Sequence, residues 1–301
     1  MSTEHISVCI CTYKREHLLG RLLDTLREQR HGGEFSFSVV VVDNDPSVSA
    51  LHVVEIRRRD GMDVLYENET EKNIAMARNK AIKSSRGEYV AFIDDDEFPG
   101  PFWLYDLYKT CRATGADGVL GPVLPLFDGD PPGWLIRGKL CERPSFPTGT
   151  LLKPHNCRTG NALLKRAIFL DSANFFDPSY GLTGGEDTDF FGRVKEKGFR
   201  FVWCQEASVH ELVPPERWRK SFYLRRAYMR GRVNHLYSLK EPPAQRFRVL
   251  ARSSMAFVLY TLVLPFIVPM GDHVKMRFFD GYFHHIGRLS TALGISFLKT
   301  R

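Results

Sequence analysis

The sequence contains neither a G-x-G-x-x-G turn nor a C-x-x-C pair. Without the glycine-rich turn that lets backbone approach a pyrophosphate, a dinucleotide-dependent dehydrogenase is not expected. The same gap counts against nucleotidyl transfer, because Cys11-Thr12-Tyr13-Lys14-Arg15 follows the first apolar run and forms no glycine-rich phosphate loop. The six cysteines, Cys9, Cys11, Cys111, Cys141, Cys157 and Cys204, are scattered. They predict buried or idle thiols in a reducing compartment, not a zinc site or a disulfide framework. Near the N-terminus, Val8-Cys9-Ile10-Cys11 is broken at once by polar residues, so no secretory signal is expected and the protein reads as cytosolic-facing. There is no internal repeat, no low-complexity tract and no apolar run of about 20 residues. Met255 to Met270 comes nearest, but it is shorter and holds Pro265 and Pro269, so a full membrane crossing is not expected.

What is present is enough for a large core: 301 residues, 43% of them hydrophobic. The net charge of +7 is unevenly placed. Residues 193–301 carry 20 Lys/Arg against 7 Asp/Glu, so the basic surface lies C-terminal and the first two thirds of the chain are acidic.

Ile6-Ser7-Val8-Cys9-Ile10 reads as a buried strand, with Cys9 and Cys11 on one face, and Leu18, Leu19, Leu22, Leu23 and Leu26 follow at helical spacing. Phe37 to Val42 is a second strand, closed by the turn-forming Asp43-Asn44-Asp45-Pro46. Val64-Leu65-Tyr66 is a weaker third strand, a helix is predicted from about Ile74 to Ser84, and Tyr89 to Ile93 is a fourth strand ending in acids. Alternating strands and helices predict an α/β, doubly wound, mostly parallel sheet, whose ligands bind at the carboxyl ends of the strands. Asp43 and Asp94 both fall on that edge. Gly121 to Pro147 is loop chemistry, and regular structure resumes near Gly160.

Asp94-Asp95-Asp96-Glu97 follows an apolar strand directly. Consecutive carboxylates repel unless a cation or solvent relieves them, and hard oxygen ligands in small number suit Mg²⁺ or Mn²⁺ bridged to phosphate oxygens. Ser7 to Tyr13, Val41-Val42-Asp43-Asn44, Ala77-Arg78-Asn79, Gly87 to Asp96 and Gly185-Glu186-Asp187 together resemble glycosyltransferase family 2, in that family's order and over roughly residues 5–235. Asn73 to Asn79, Gly121-Pro122-Val123, Thr159 to Leu164 and Gly184 to Phe191 are similar to the bacterial succinoglycan-type β-glucosyltransferases of exopolysaccharide biosynthesis.

The resemblance implies a GT-A fold and an inverting, metal-dependent transfer that makes a β-linkage from a UDP-α-sugar, glucose being favoured. It places Thr12, Tyr13, Asp43 and Asn44 at the nucleoside and Arg78 at the phosphates, where a guanidinium can bind two oxygens at once. Asn44 departs from the family's frequent second Asp. Asp96 is expected as the direct metal ligand, with Asp94 and His210 as further candidates beside it; Asp95 leans toward ribose or sugar, and Glu97 reads as a flanking charge. Inverting transfer needs one carboxylate to take the acceptor hydroxyl's proton. Asp187 matches the family's base position, with Glu186 as its neighbour and Gly184-Gly185 allowing a tight approach. Charging a helix N-terminus is the other role open to the pair.

Trp134 is open to either sugar stacking or packing. Arg217 to Arg232, a basic helical stretch with interleaved aromatics, and the apolar run after it predict contact with an anionic membrane surface and a glycan or lipid-linked saccharide acceptor, with no nucleic acid expected. The expected organisation is a catalytic domain at 1–215, with a nucleotide half at about 1–120 and an acceptor half at about 121–215. A helical basic and apolar extension follows at 216–301, peripheral on the inner face of the cell membrane. The rival readings are a metal-dependent nucleotidyltransferase and a non-enzymatic membrane- or polyanion-binding protein; the second leaves the acidic sites unexplained.

Overall fold

In the computed structural model, residues 3–181, 184–239 and 241–295 are described. The chain divides into two compact units, Met1–Pro125 with Arg143–Leu212, and Leu126–Glu142 with Val213–Arg301. The first unit begins with β1 (Glu4–Thr12), α1 (Glu16–Arg27), β2 (Phe35–Asp43), α2 (Leu51–Arg59), β3 (Val64–Asn68), α3 (Ile74–Ser84) and β4 (Tyr89–Ile93). After these come β5 (Glu97–Pro99), α4 (Trp103–Thr114), β6 (Gly118–Leu120) and β7 (Val123–Leu126). The short helix α5 (Gly133–Gly138) lies in the second unit. The chain then returns with β8 (Asn161–Lys165), α6 (Glu186–Glu196), β9 (Phe201–Trp203) and β10 (Val209–Leu212).

Seven strands form the main sheet in the order β3-β2-β1-β4-β8-β6-β9. All neighbouring pairs are parallel except those of β8, which runs against both β4 and β6. The sheet is covered on both faces, so Ile6, Ser7, Val8, Cys9 and Ile10 are all buried although they alternate in direction. Cys9 and Cys11 do share one face, packing into the same core cluster. All six cysteines are free thiols. Because β1, β2 and β4 run parallel, Thr12, Asp43 and Asp94 emerge together at their carboxyl ends. A second, three-stranded sheet, β5-β10-β7, stands beside that edge and puts Glu211 opposite Glu97.

In the second unit, α7 (Lys220–Ser238), α8 (Pro243–Ile267) and α9 (Asp272–Ala292) follow one another. α7 and α9 cross closely, because a Cβ on Gly231 would strike the His284 carbonyl and one on Gly287 the Tyr228 carbonyl. Residues 126–142, expected among the acceptor loops, pack with these helices instead. Trp134 meets the Tyr223 ring edge-on at 5.8 Å and belongs to the cluster around Leu135, Tyr223 and Met276. Packing is therefore the role the structure gives Trp134, and the sugar-stacking alternative is set aside. The apolar run also differs from expectation: α8 is 25 residues long and continues past Pro265, long and apolar enough by length and composition to cross a membrane. Starting at Pro243, it adds about three turns of helix ahead of Met255.

Candidate active site

Arg78, near the middle of α3, is the hub of the crevice. Its Nη1 donates to Glu186 Oε1 at 2.6 Å and to Asp187 Oδ1 at 3.1 Å, and its Nη2 lies 3.5 Å from Asp94 Oδ1. The side chain is only 8% exposed. Burial works against its charge, but Asp187, Asp94 and Glu186 outweigh it and hold the guanidinium more firmly protonated than usual. The residue expected at the nucleotide phosphates thus bridges the acidic run and the Glu186-Asp187 pair. Their convergence, from segments far apart in sequence, is a result of the tertiary fold.

The rest of α3 explains why that pair is held in place. Asn73 caps the helix, accepting from the Ala75 and Met76 amides, and donates to the Pro178 carbonyl at 2.9 Å. Asn79 donates to the Phe176 carbonyl and accepts from the Phe176 amide, as a neighbouring strand would. These two asparagines therefore pin the segment just before Gly184-Gly185. Both glycines have positive φ, 77° and 104°, and α6 starts at once with Glu186. Phe190 anchors the helix behind them, stacked on Phe176 at 4.5 Å. Asp187 also accepts from the Thr159 hydroxyl at 2.7 Å. Burial and the neighbouring Asp187 raise the Glu186 carboxyl above its ordinary range, and its Oε2 is buried with no hydrogen-bond partner.

The acidic run divides its contacts. Asp95 accepts from Thr12 Oγ1 and from Arg15 Nη1, both at 2.8 Å, and Arg15 also reaches Asp96 Oδ2 at 3.0 Å. Burial, Asp94 and Asp95 push the Asp96 carboxyl up to about 6 against the pull of Arg15. The Asp94 carboxyl is raised as well, by desolvation and then by Asp187 and Asp95, although its side chain is 45% exposed to the crevice. Glu97, expected as a flanking charge, is fully buried. Its Oε2 accepts from the Asp94 amide while Oε1 has no partner, and burial raises its carboxyl well above the ordinary range. The correction has a simple cause: β5 starts at Glu97 and turns that side chain inward against Gly160, where an added Cβ would stand 2.6 Å from Glu97 Oε1. Arg143, paired to Glu211 at 2.5 Å, supplies a positive charge near this cluster.

The nucleoside residues are placed less uniformly. Tyr13 is half-buried between two ammonium groups, Lys72 at 4.5 Å and Lys14 at 5.5 Å from its ring centre. Asp43 has no exposed surface, and its carboxylate accepts from the Asp45 and Ala50 amides and the Tyr66 hydroxyl. Asn44 spends its amide on backbone, donating to the Glu69 and Glu71 carbonyls and accepting from the Asn73 amide. These two residues build the loop at the end of β2; the departure from a second Asp is explained, because a carboxylate could not donate to two carbonyls. His210 is exposed on β10 opposite Phe98, one residue from Glu211 and on the other side of the pleat.

Arg15, Thr159, Gly160 and the Arg143–Glu211 pair were given no site role from sequence. Arg15 carried a signal, a cation shortly past the first strand, and Thr159 and Gly160 lie in a segment that carries the family resemblance. The others become neighbours of the acids only through the sheet.

A family model for Glycosyl transferase family 2 matches residues 7–171. The chain belongs to that family. It is 35% identical over 234 residues to the succinoglycan biosynthesis protein ExoM of Rhizobium meliloti (strain 1021), covering 77% of this chain and 74% of that one. It is also 27% identical to glycosyltransferase AglE of Haloferax volcanii over 67% of this chain and 64% of the other. Among solved structures, it resembles the mannosyltransferase PcManGT from Pyrobaculum calidifontis, in complex with GDP-Man and Mn²⁺, at a TM-score of 0.64 and 16% identity, over 98% of this chain and 89% of that one. It likewise resembles S. aureus TarS 1–349 in complex with UDP-GlcNAc, at a TM-score of 0.54 and 18% identity, over 97% and 93%. The fold is GT-A, a mostly parallel sheet with a helical C-terminal extension, and the protein is a glycosyltransferase.

Proposed function

We propose that the protein transfers a sugar, glucose being favoured, from a UDP-sugar to a hydroxyl of a glycan or lipid-linked saccharide, with inversion to a β-linkage. The convergence of Asp94, Glu186 and Asp187 on one buried arginine supports this reading, because it puts the donor carboxylates and an acceptor-side base in one crevice. Asp187 takes the proton of the acceptor hydroxyl as that oxygen attacks the anomeric carbon; the bond from carbon to the diphosphate oxygen breaks and UDP leaves with its electron pair. Thr159 and Arg78 fix the Asp187 carboxylate for this task, and Glu186 holds Arg78 from the other side.

Mg²⁺ or Mn²⁺ fits the residues present. The buried Glu97 oxygen without a partner and the raised Asp94, Asp96 and Glu97 carboxyls mark a cluster short of positive charge. Among the described residues no group of three or more His, Cys, Asp or Glu is arranged to hold a metal. Asp96 would hold the ion, with Asp94, and the ion would stabilise charge on the departing diphosphate. His210, the third expected ligand, stands exposed on β10 and joins no such group. Thr12 and Tyr13, at the end of β1 and next to the loop that Asp43 and Asn44 build at the end of β2, would meet the nucleoside. Asp95 is committed to Thr12 and Arg15 and would act on ribose or sugar from that position.

The second unit would bind a membrane. Phe247, Met255, Leu262 and Phe266 of α8 are strongly exposed, and Arg246, Arg248 and Arg252 precede or flank them on the same helix. Peripheral attachment to the anionic inner leaflet follows the same physics. Three measurements test the whole. UDP-sugar hydrolysis or transfer should need a divalent ion and collapse in Asp96→Ala, and Asp187→Asn should keep UDP binding while losing transfer. Unchanged turnover in a folded Asp96→Ala would remove the metal assignment. A fully soluble pool at low salt on cell fractionation would count against the membrane surface.

A further inference from the structure

Beside the acidic crevice lies a cavity of ≈ 180 Å³, between the start of β7, the loop after Arg143, the turn at Pro154–Asn156 and β9. At roughly 30 Å³ per water it holds about six waters, the room of one pyranose ring. Its lining contrasts with the rest of the crevice. Arg143, His155 and Arg158 line it together with Phe146 and Trp203, and no carboxylate does. Arg143 is engaged by Glu211. Arg158 is exposed, makes no ion pair among the described residues, and spends one guanidinium nitrogen on its neighbour's carbonyl, that of Cys157, at 3.1 Å. Phe146 and Trp203 meet edge-on at 5.5 Å and form the apolar wall, with the indole nitrogen turned away to Gln205.

An aromatic wall beside His155 and the Arg158 guanidinium, which has no ion-pair partner among the described residues, in a unit whose catalytic crevice is acidic, matches a ligand with an apolar ring face and an anionic substituent. A neutral sugar would leave the Arg158 charge unused. We propose that this cavity seats an acidic sugar of the acceptor, a pyranose packed on Phe146 and Trp203 whose oxyanion is held by Arg158 and His155. This rests on the glycosyl-transfer reading above and adds to it the charge of the acceptor.

The oxyanion could be the carboxylate of a uronic acid or the phosphate of a lipid-linked sugar, and two probes separate them. Saturation-transfer NMR titrations of the full chain would compare methyl β-D-glucuronide and α-D-glucose 1-phosphate with the neutral methyl β-D-glucoside. At least one acid is expected to bind about tenfold or more tightly than the glucoside, the size of one charge-assisted contact, with the preference weakening in salt. Preference for the glucuronide identifies a uronic acid, preference for the phosphate a sugar phosphate, and preference for both the shared oxyanion seat. Arg158→Gln and His155→Gln, both at exposed positions, should erase the preference. Equal binding of acid and neutral sugar, no binding of any probe, or a preference that survives Arg158→Gln would overturn the proposal. Wild-type UDP-sugar hydrolysis, measured in parallel, keeps the two readings apart: acid-selective binding without hydrolysis would remove the transferase reading and leave the anion seat standing.

Discussion

Replacing Arg78 by methionine keeps roughly its length and removes its charge, leaving Glu186, Asp187 and Asp94 around an apolar side chain. The guanidinium lies 2.6, 3.1 and 3.5 Å from their oxygens and is 8% exposed, so the loss is that of a buried ion pair with the partners left behind. Such losses cost about 3–5 kcal/mol. The cost should depend on pH. Burial already raises the Glu186 and Asp94 carboxyls, and Arg78 pulls both down; without it these two hold their protons to still higher pH than in the unfolded chain, so the native variant binds protons that the unfolded chain releases. Its stability therefore falls as pH rises, by about 1.4 kcal/mol per pH unit for each carboxyl that stays protonated only in the fold, and the penalty is greatest at a pH where those carboxyls have ionised in both states. Urea unfolding in EDTA at pH 8 and pH 5, in a Trp134→Phe, Trp218→Phe background, leaves Trp103 and Trp203 of the first unit as fluorescent reporters. About 3–5 kcal/mol of destabilisation at pH 8, at least about 1 kcal/mol less at pH 5, and an intermediate value for Arg78→Lys are expected. A penalty under about 1 kcal/mol at pH 8, or one equal at both pH values, would refute the view that Arg78 holds this cluster together.

Gly160→Ala should force Glu97 and Asp94 apart, since its Cβ would stand 2.6 and 3.2 Å from their oxygens; Mn²⁺ affinity read by calorimetric titration should drop about tenfold, and unchanged affinity would show the carboxylate geometry to be irrelevant to the ion. Asn44→Asp restores the family's commoner residue but removes the amide that donates to the Glu69 and Glu71 carbonyls and sets a carboxylate against them, and a loss of about 3 kcal/mol in urea unfolding is expected. Wild-type stability would contradict the loop-building role. Asp96, pushed up to about 6, favours its neutral form in the metal-free fold, so it contributes stability below its unfolded value that is lost as pH rises through 6. Asp96→Asn should thus gain in Tm relative to wild type between pH 5 and pH 7.5 in EDTA, and Mn²⁺ should reverse the order at pH 7.5. A difference in Tm that ignores pH would remove Asp96 from the titrating groups.

The sequence by itself determined the strands and the edge on which the acids stand. Apolar runs closed by Asp43 and by Asp94 read as buried strands ending in polar groups, and the helix read from about Ile74 to Ser84 is there, its start held by the Asn73 cap that the structure shows. Period and capping are local, so they are visible in a local window. The family membership was equally legible, because it lies in short ordered motifs. Tertiary structure alone decided how the polar groups are used. Whether Arg78 serves phosphates or carboxylates depends on α6 arriving from 108 residues away. That Asn44 spends its amide on backbone depends on the return of the 69–73 loop, and that Glu97 is buried depends on β10 and Gly160 closing over it. Trp134, open from sequence to stacking or packing, sits in a packed cluster, while Trp203, which had no role from sequence, lines a cavity, because burial is set by what lies across space. A carboxylate's repulsion, its desolvation and its partner arginine all act over a few ångströms, and it was the arrival of α6 beside the carboxyl ends of the parallel strands that brought the acids of this chain within that distance of one another.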